Sequence, residues 1–460
     1  MHGPTHINAE PRRLLPDIGN KKQETTLAAY IATASNEDAA PTVSRSYAWV
    51  VFALTFGLLL SDYMSRQVLN AIFPILKIEW SLSDTQLGSL SSIVALLVGI
   101  LTFPLSVVAD RWGRVRSVVL MAGLWSLATL GCALAANYNQ MFLARFLVGV
   151  GEAAYGSVGI ALILSIFPAH MRSTLASAFM AGGPVGSVVG MALGGIVATQ
   201  FGWRWSFGAM AAFGLFLVIL YALLVRESKL RSEAEVVAGT RSSSTVQPPK
   251  LRAILSGLFA SRSVISAYIG SGLQLFIMAA MLAWLPSFLN RYYALPTDKA
   301  GVAAAAFILV GAIGMTVCGV ITDRVSRSAP SRKWTMAIVY SLLSAGLLLT
   351  GFMMPTGTAQ LVMIALGMAT VAGTTGPAGA MVANLTHPSI HATAFATLTL
   401  ANNLLGLAPG PFVTGLIADR IGLMGAMQLV PLIALGATTA FIIGKRYYAD
   451  DLQRIRSMSV

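Results

Sequence analysis

The feature that most constrains this chain is a series of twelve apolar segments, each near the length of one membrane crossing, spread between residues 47 and 446. A helix of about 20 residues spans the ~30 Å of hydrocarbon, and in lipid each backbone N–H and C=O has to be satisfied within its own segment. The windows lie at 47–75, 86–109, 117–136, 139–166, 173–200, 204–225, 263–290, 299–322, 334–354, 359–386, 390–417 and 424–446. They predict an all-α polytopic membrane protein with twelve transmembrane helices. The balance of 56% hydrophobic and 11% charged residues, with a mean hydropathy of +0.72, excludes a soluble enzyme built on one large core.

The windows divide six plus six. Between the sixth and seventh, Gly239-Thr-Arg-Ser-Ser-Ser-Thr-Val-Gln-Pro-Pro-Lys250 has the composition of a flexible linker. The expected organisation is a polar tail at 1–46, a six-helix bundle at 47–225, a linker at 226–262, a second bundle at 263–446 and a tail at 447–460. The first tail is polar and charged, reads as disordered, and has no apolar stretch of the kind a signal peptide needs. Cys132 and Cys318 fall in separate apolar windows, so no disulfide is expected.

The net charge is +13, which in a soluble protein would suggest nucleic acid. Its distribution argues otherwise. With both termini cytoplasmic, 24 of the 31 Lys and Arg fall on cytoplasmic segments, five outside (Lys77, Arg204, Arg291, Lys299, Arg420) and two in the membrane (Arg66, Arg145). The positive-inside rule then sets the orientation in a cell inner membrane, and the basic residues face anionic lipid with no nucleic acid needed.

The two halves repeat. Ser106-Val-Val-Ala-Asp110-Arg111-Trp-Gly113-Arg114-Val-Arg116 follows the second window and is echoed by Gly319-Val-Ile-Thr-Asp323-Arg324 after the eighth. Gly183-Pro184 in the fifth is echoed by Gly410-Pro411 in the eleventh. Related six-helix halves rocking about a central site are a transporter architecture. On these residues the stretch from about 47 to 446 resembles the major facilitator superfamily. The loop after the second window is similar to its G-x-L-A-D-R-x-G-R-R/K motif at Asp110, Arg111, Gly113 and Arg114, with Ser106 and Val115 departing from it. The resemblance implies two pseudo-symmetric six-helix bundles, alternating access, and a gating role for Asp110, Arg111, Gly113, Arg114, Asp323 and Arg324, whose charges can latch one face. Arg116 and Arg327 are accounted for by the positive-inside rule alone. A third look-alike, Gly415-Leu-Ile-Ala-Asp419-Arg420-Ile-Gly422, falls on the opposite face and reads as a periplasmic turn, not a latch.

Four ionisable side chains lie deep in apolar windows: Asp62, Arg66, Arg145 and Glu152. Each costs about 2.5–3.5 kcal/mol or more in a bilayer centre, which marks a functional site. Asp62 and Arg66 are four apart on one helical face; Arg145 and Glu152 are two turns apart. Of the 18 Asp and Glu, only Asp62 and Glu152 are deep, and a carboxyl there is pulled between desolvation, which favours its neutral form, and a neighbouring guanidinium, which favours its charge. Glu152 is therefore the expected proton carrier, with Asp62 either a second proton-coupling group or the counter-ion of Arg66. Arg66 is the expected anchor for an anionic substrate, and Arg145 the expected partner of Glu152 within the binding site. The bland alternative is two static ion pairs, which seldom stabilise more than apolar packing.

Arg145-Phe-Leu-Val-Gly149-Val-Gly151-Glu152 is similar to the superfamily's R-x-x-x-G-x-G pattern, and Glu152 with Arg145 resembles the anion:cation symporter and Spinster-like families. Those families carry N-Y-x-D-R in the first helix; here Asp62-Tyr63-Met64-Ser65-Arg66 keeps the Arg and moves the acid by about one turn. Helix five's Gly182-Gly183-Pro184-Val-Gly186 partly resembles an antiporter motif, though glycines four apart also serve packing.

In the second half, Asn402 and Asn403 are candidate hydrogen-bonding groups for substrate, alongside Gln274, Asn290, Asn384, Tyr292 and Trp284. His387 and His391 read as loop residues. No phosphate loop, H-E-x-x-H, clustered Cys/His or G-x-S-x-G elbow is present, so neither enzyme nor metal chemistry is expected. The expectation is a monomeric secondary transporter in the bilayer, without cofactor and driven by the proton motive force, importing a small organic anion such as a carboxylate with protons. The alternative is a Spinster-like or drug-type antiporter that exports an amphipathic molecule.

Overall fold

The computed structural model describes residues 43–230, 261–386 and 391–458, with the side chains of Asp110, Ala169, His391 and Ala392 and those beyond Arg454 left out. Most of the expected first tail, most of the expected linker and His387 lie outside the described residues, and the first helix begins at Arg45, inside the expected tail. What is described is almost wholly helical.

The first half comprises α1 (Arg45–Ala71), α2 (Asp84–Trp112), α3 (Arg114–Leu134), α4 in two pieces (Tyr138–Glu152 and Tyr155–Ile166), α5 (Ala169–Phe201) and α6 (Trp203–Leu224). The second comprises α7 (Arg262–Tyr293), α8 (Thr297–Ser326), α9 (Arg332–Met353), α10 in two pieces (Thr358–Ala372 and Thr375–Asn384), α11 and α12. α11 runs as His391–Asn402, a π-helical turn at Asn403–Leu407, and the first part of Pro409–Leu429. That last helix breaks at Gly422 (φ 80°, ψ 160°), and α12 continues through Val430–Leu432 and Ile433–Met458, past the expected end at 446. Gly202 between α5 and α6 adopts the same backbone (φ 92°, ψ 151°), as the internal repeat requires. A side chain is strained at such φ, so both tight reversals need glycine.

Among the described residues, eleven stretches are long and apolar enough to cross a membrane, and the last, Thr393–Arg454, contains the Gly422 break and holds two crossings. The chain is thus a polytopic membrane protein of twelve spanning helices in two bundles.

α4 and α10 both break mid-span, at Ala153–Ala154 and at Gly373–Thr374. Backbone groups freed inside a membrane need partners, and Thr102 of α2 donates its hydroxyl to the Ala153 carbonyl at 2.6 Å. α1 and α5 pack through glycines: a Cβ on Gly186, Gly190 or Gly194 would strike Leu60 O, Met64 or Val68. The four-residue spacing in α5 therefore serves close helix contact.

Among the described residues, the halves meet closely at one face only. Phe73 and Trp284 lie across the boundary with ring centroids 5.4 Å apart, inside a buried cluster shared by both halves. Towards the other face, the buried clusters belong to one half each. α2 crosses α11 through Gly88, Gly99 and Gly415, and α5 crosses α8 through Gly195 and Gly301. The described ends around Arg111–Arg114 and Asp323–Arg324 make no hydrogen bond or ion pair across the halves among the described residues.

Candidate functional site

α1 carries Asp62 and Arg66 one turn apart, and the first piece of α4 ends on Glu152. Packing of the two helices brings the three together. Arg66 Nε lies 2.9 Å from Asp62 Oδ1 and 2.8 Å from Glu152 Oε2. Nε has one hydrogen, and it points at Asp62; Nη2 adds a longer contact of 3.4 Å to Asp62 Oδ2. Glu152 thus receives attraction from Arg66 without that hydrogen aimed at it, and it lies near enough to Asp62 for one proton to be shared between the two carboxyls. Both acids touch the same nitrogen, which sets them close enough to interact directly.

The acids are buried, while the Arg66 side chain keeps 21% of its surface accessible. Its Nη1 edge makes no hydrogen bond among the described residues. The guanidinium lies over the Tyr63 ring, 5.2 Å from its centroid, and that ring packs on Gly183 of α5. Tyr63 is a site residue that spacing arguments passed over, although it stands inside the five-residue run that was singled out.

Arg145 stands by Glu152 at longer range than a contact pair. Its Nε donates to the Leu90 carbonyl of α2 at 3.2 Å, and it makes no contact ion pair with Glu152, although the two charges are near enough to attract each other. It is 1% exposed and ties α4 to α2. Asn403 also serves packing: it is buried against Gly99 of α2 and donates to the Thr399 carbonyl at 2.9 Å. Asn402 is half-buried with an unpartnered Oδ1. Neither asparagine contacts Arg66 or the acids. Buried Gln274 has both amide atoms unpartnered.

Of the expected gating residues, Arg111, Asp323 and Arg324 are exposed, and the Asp110 side chain is outside the description. Gly113 (φ 98°) makes the turn from α2 into α3, where the Arg114 and Val115 amides donate to Glu227 at 3.2 and 2.9 Å. A cavity of about 570 Å³ opens beside them, lined by Arg111, Arg114, Arg116 and Glu227.

The opposite face holds charged contacts that were not expected. Asp84, at the start of α2, takes both Nη groups of Arg291 of α7 at 2.8 and 2.6 Å and Lys77 Nζ at 2.7 Å. Asp419 of α11 accepts from the Asp84 and Thr85 amides at 2.7 and 2.9 Å. The signal for it was the Gly415–Gly422 look-alike, read as a turn. Gly422 does make a turn; Asp419 in addition bridges the halves.

The Major Facilitator Superfamily model matches residues 55–411. The chain is 29% identical over 274 residues to the probable L-galactonate transporter of Escherichia coli (strain K12), covering 59% of this chain and 60% of that protein. It is 23% identical to the hexuronate transporter of Bacillus subtilis (strain 168), over 85% and 93% of the two chains. Among solved structures, a bacterial homolog of the human lysosomal transporter Spinster, in an inward-facing and unoccupied conformation, superposes with a TM-score of 0.78. The identity is 19%, over 89% of this chain and 99% of that one, and the likeness establishes the common fold. With twelve spanning helices, two related halves and this match across most of its length, the chain belongs to the Major Facilitator Superfamily of membrane transporters.

Proposed function

We propose that the protein is a proton-coupled symporter that takes up a small organic anion, with Arg66 as the anion's anchor and Glu152 as the proton carrier. The observation that carries this reading is the sharing of one guanidinium nitrogen by two buried carboxylates. One positive and two negative charges leave the cluster at −1, so an incoming carboxylate meets repulsion. A proton on Glu152 removes it. The open Nη1 edge of Arg66 then offers bidentate geometry to a carboxylate while Asp62 keeps the other edge oriented.

We place the proton on Glu152, within reach of Asp62, because Asp62 holds a fork to Arg66 and Glu152 receives no hydrogen from it. Binding of proton and anion is thus mutually favourable, which is the thermodynamic content of symport. Proton entry along the membrane potential contributes about 2.3 kcal/mol per 100 mV. The charge distribution supports both termini on the cytoplasmic side of an inner membrane. Hexuronates and galactonate, named for two relatives, are hydroxylated carboxylates and fit the class.

A second reading, exchange of an amphipathic molecule for protons, is favoured by the fold likeness to the Spinster homolog. Proteoliposome uptake of labelled hexuronates separates the two. Symport predicts accumulation that follows an imposed inward proton gradient and vanishes when it is collapsed. Full uptake without the gradient, or accumulation driven only by an outward proton gradient, refutes symport.

A further inference from the structure

The Gly415-Leu-Ile-Ala-Asp419-Arg420-Ile-Gly422 stretch has no part in the proton and anion chemistry, yet two of its motif-like positions, Gly415 and Asp419, meet the opposite half. Gly415 is where the Asp84 carbonyl of the opposite half comes closest; a Cβ there would overlap it. Asp419, one turn on, places its carboxylate on the N-terminus of α2, bonding the Asp84 and Thr85 amides and the Thr85 hydroxyl. Gly422 then turns the chain into α12.

These are the amides that a helix leaves without intrahelical acceptors, and the helix dipole adds attraction for the anion. Next to them, Asp84 points its own carboxylate at Arg291 of the second half and Lys77 of the first. Two acids on two helices, each reaching across the boundary, hold the same spot from opposite sides. Beneath them Phe412 N, freed near the start of a helix with Pro409 and Pro411, donates to the Ser92 hydroxyl at 3.1 Å.

We infer that Asp419 with the α2 N-terminus, and Asp84 with Arg291, form a two-part lock that seals this face of the transporter and must open for the alternate-access state. It is a gate at the opposite membrane face from the Arg111–Arg114 loop, built from a copy of the same sequence pattern. The helix that carries the loop at one end carries the locked terminus at the other, so α2 is the lever common to both gates. The lock acts on conformation and is independent of which substrate is carried.

The test uses the full-length protein in right-side-out and inverted vesicles with a cysteine at Ser92, the two native cysteines being buried. Labelling of that thiol by a membrane-impermeant maleimide from the locked face reports opening. Arg291→Gln and Asp419→Asn are each expected to raise the labelling rate about tenfold, within the usual range of coupling between conformational states. Lys77→Ala, which removes a contact inside one half, is expected to change it less than twofold. The reversed pair Asp84→Arg with Arg291→Asp is expected to return labelling towards the parent rate, which a merely misfolded protein would not do. Unchanged labelling in both Arg291→Gln and Asp419→Asn overturns the inference, as does an equal rise in Lys77→Ala.

Discussion

Replacing Glu152 by Gln keeps the side chain's shape and removes one of the two negative charges on Arg66. With both acids ionised the cluster carries −1, and a bound carboxylate would bring it to −2. A pair of unit charges about 4 Å apart at an effective dielectric of ~20 interacts by roughly 4 kcal/mol, so one unneutralised acid weakens anion binding by about a thousandfold. On the proposed symport, the wild-type protein avoids that penalty by taking one proton with each anion. Its dissociation constant for a hexuronate is therefore expected to rise about tenfold per pH unit once the carboxyl has lost its proton, and to flatten at lower pH. Tight binding lies at low pH and is lost as pH rises. In Glu152→Gln the neutral state is permanent: binding holds at the low-pH wild-type affinity across the range, and concentrative uptake is lost because no proton travels with the anion. Equilibrium binding of a labelled hexuronate to purified protein, between about pH 5 and pH 8, measures both slopes. A tenfold-per-unit slope that survives in Glu152→Gln would place the proton elsewhere, and a flat wild-type profile would refute the coupling itself.

Two further substitutions separate gating from chemistry. Gly415→Ala puts a methyl against the Asp84 carbonyl; overpacking of about 1–3 kcal/mol should disfavour the sealed face alone, raising thiol labelling there while each half keeps its Tm. Arg145→Gln strips a buried donor from the Leu90 carbonyl, and is expected to lower stability by about 1–3 kcal/mol in thermal melts while the pH dependence of binding persists. Loss of the pH slope with unchanged melting would restore Arg145 as the partner of Glu152.

The helices were readable because lipid forbids unsatisfied backbone, which makes apolar length a nearly sufficient signal; the windows fall within a few residues of the observed helices except at the end of α12, which runs on to Met458, and Gly422 divides the last two where expected. The four deep charges were readable for the same reason, since nothing in an apolar run hides them. Their partners were not. Spacing along one helix tells which residues share a face, so Asp62 and Arg66 were paired correctly, but which neighbour that face meets is decided by packing of helices distant in sequence. Glu152 accordingly found Arg66 on α1, and Arg145 found a carbonyl on α2. Asp419 was harder still: its partners are 334 and 335 residues away, and its surroundings read as an ordinary turn. The breaks after Glu152 and at Gly373 carry weak local signals, small residues in apolar runs, and became visible only as structure.

Those two breaks set up an unequal division of labour. Each half has a joint in its fourth helix, but the joint in α4 follows directly after Glu152, with the freed Ala153 carbonyl held by Thr102 of α2, whereas the joint in α10 has no deep charge beside it. On the proposed coupling, a proton arriving at or leaving Glu152 does so beside the break of the first half, which would make that half the sensor and the second the body it moves against. Symmetry of fold is thus compatible with asymmetry of command: transplanting the acid to the α10 hinge would give the machine two sensors, and nothing would oblige them to agree.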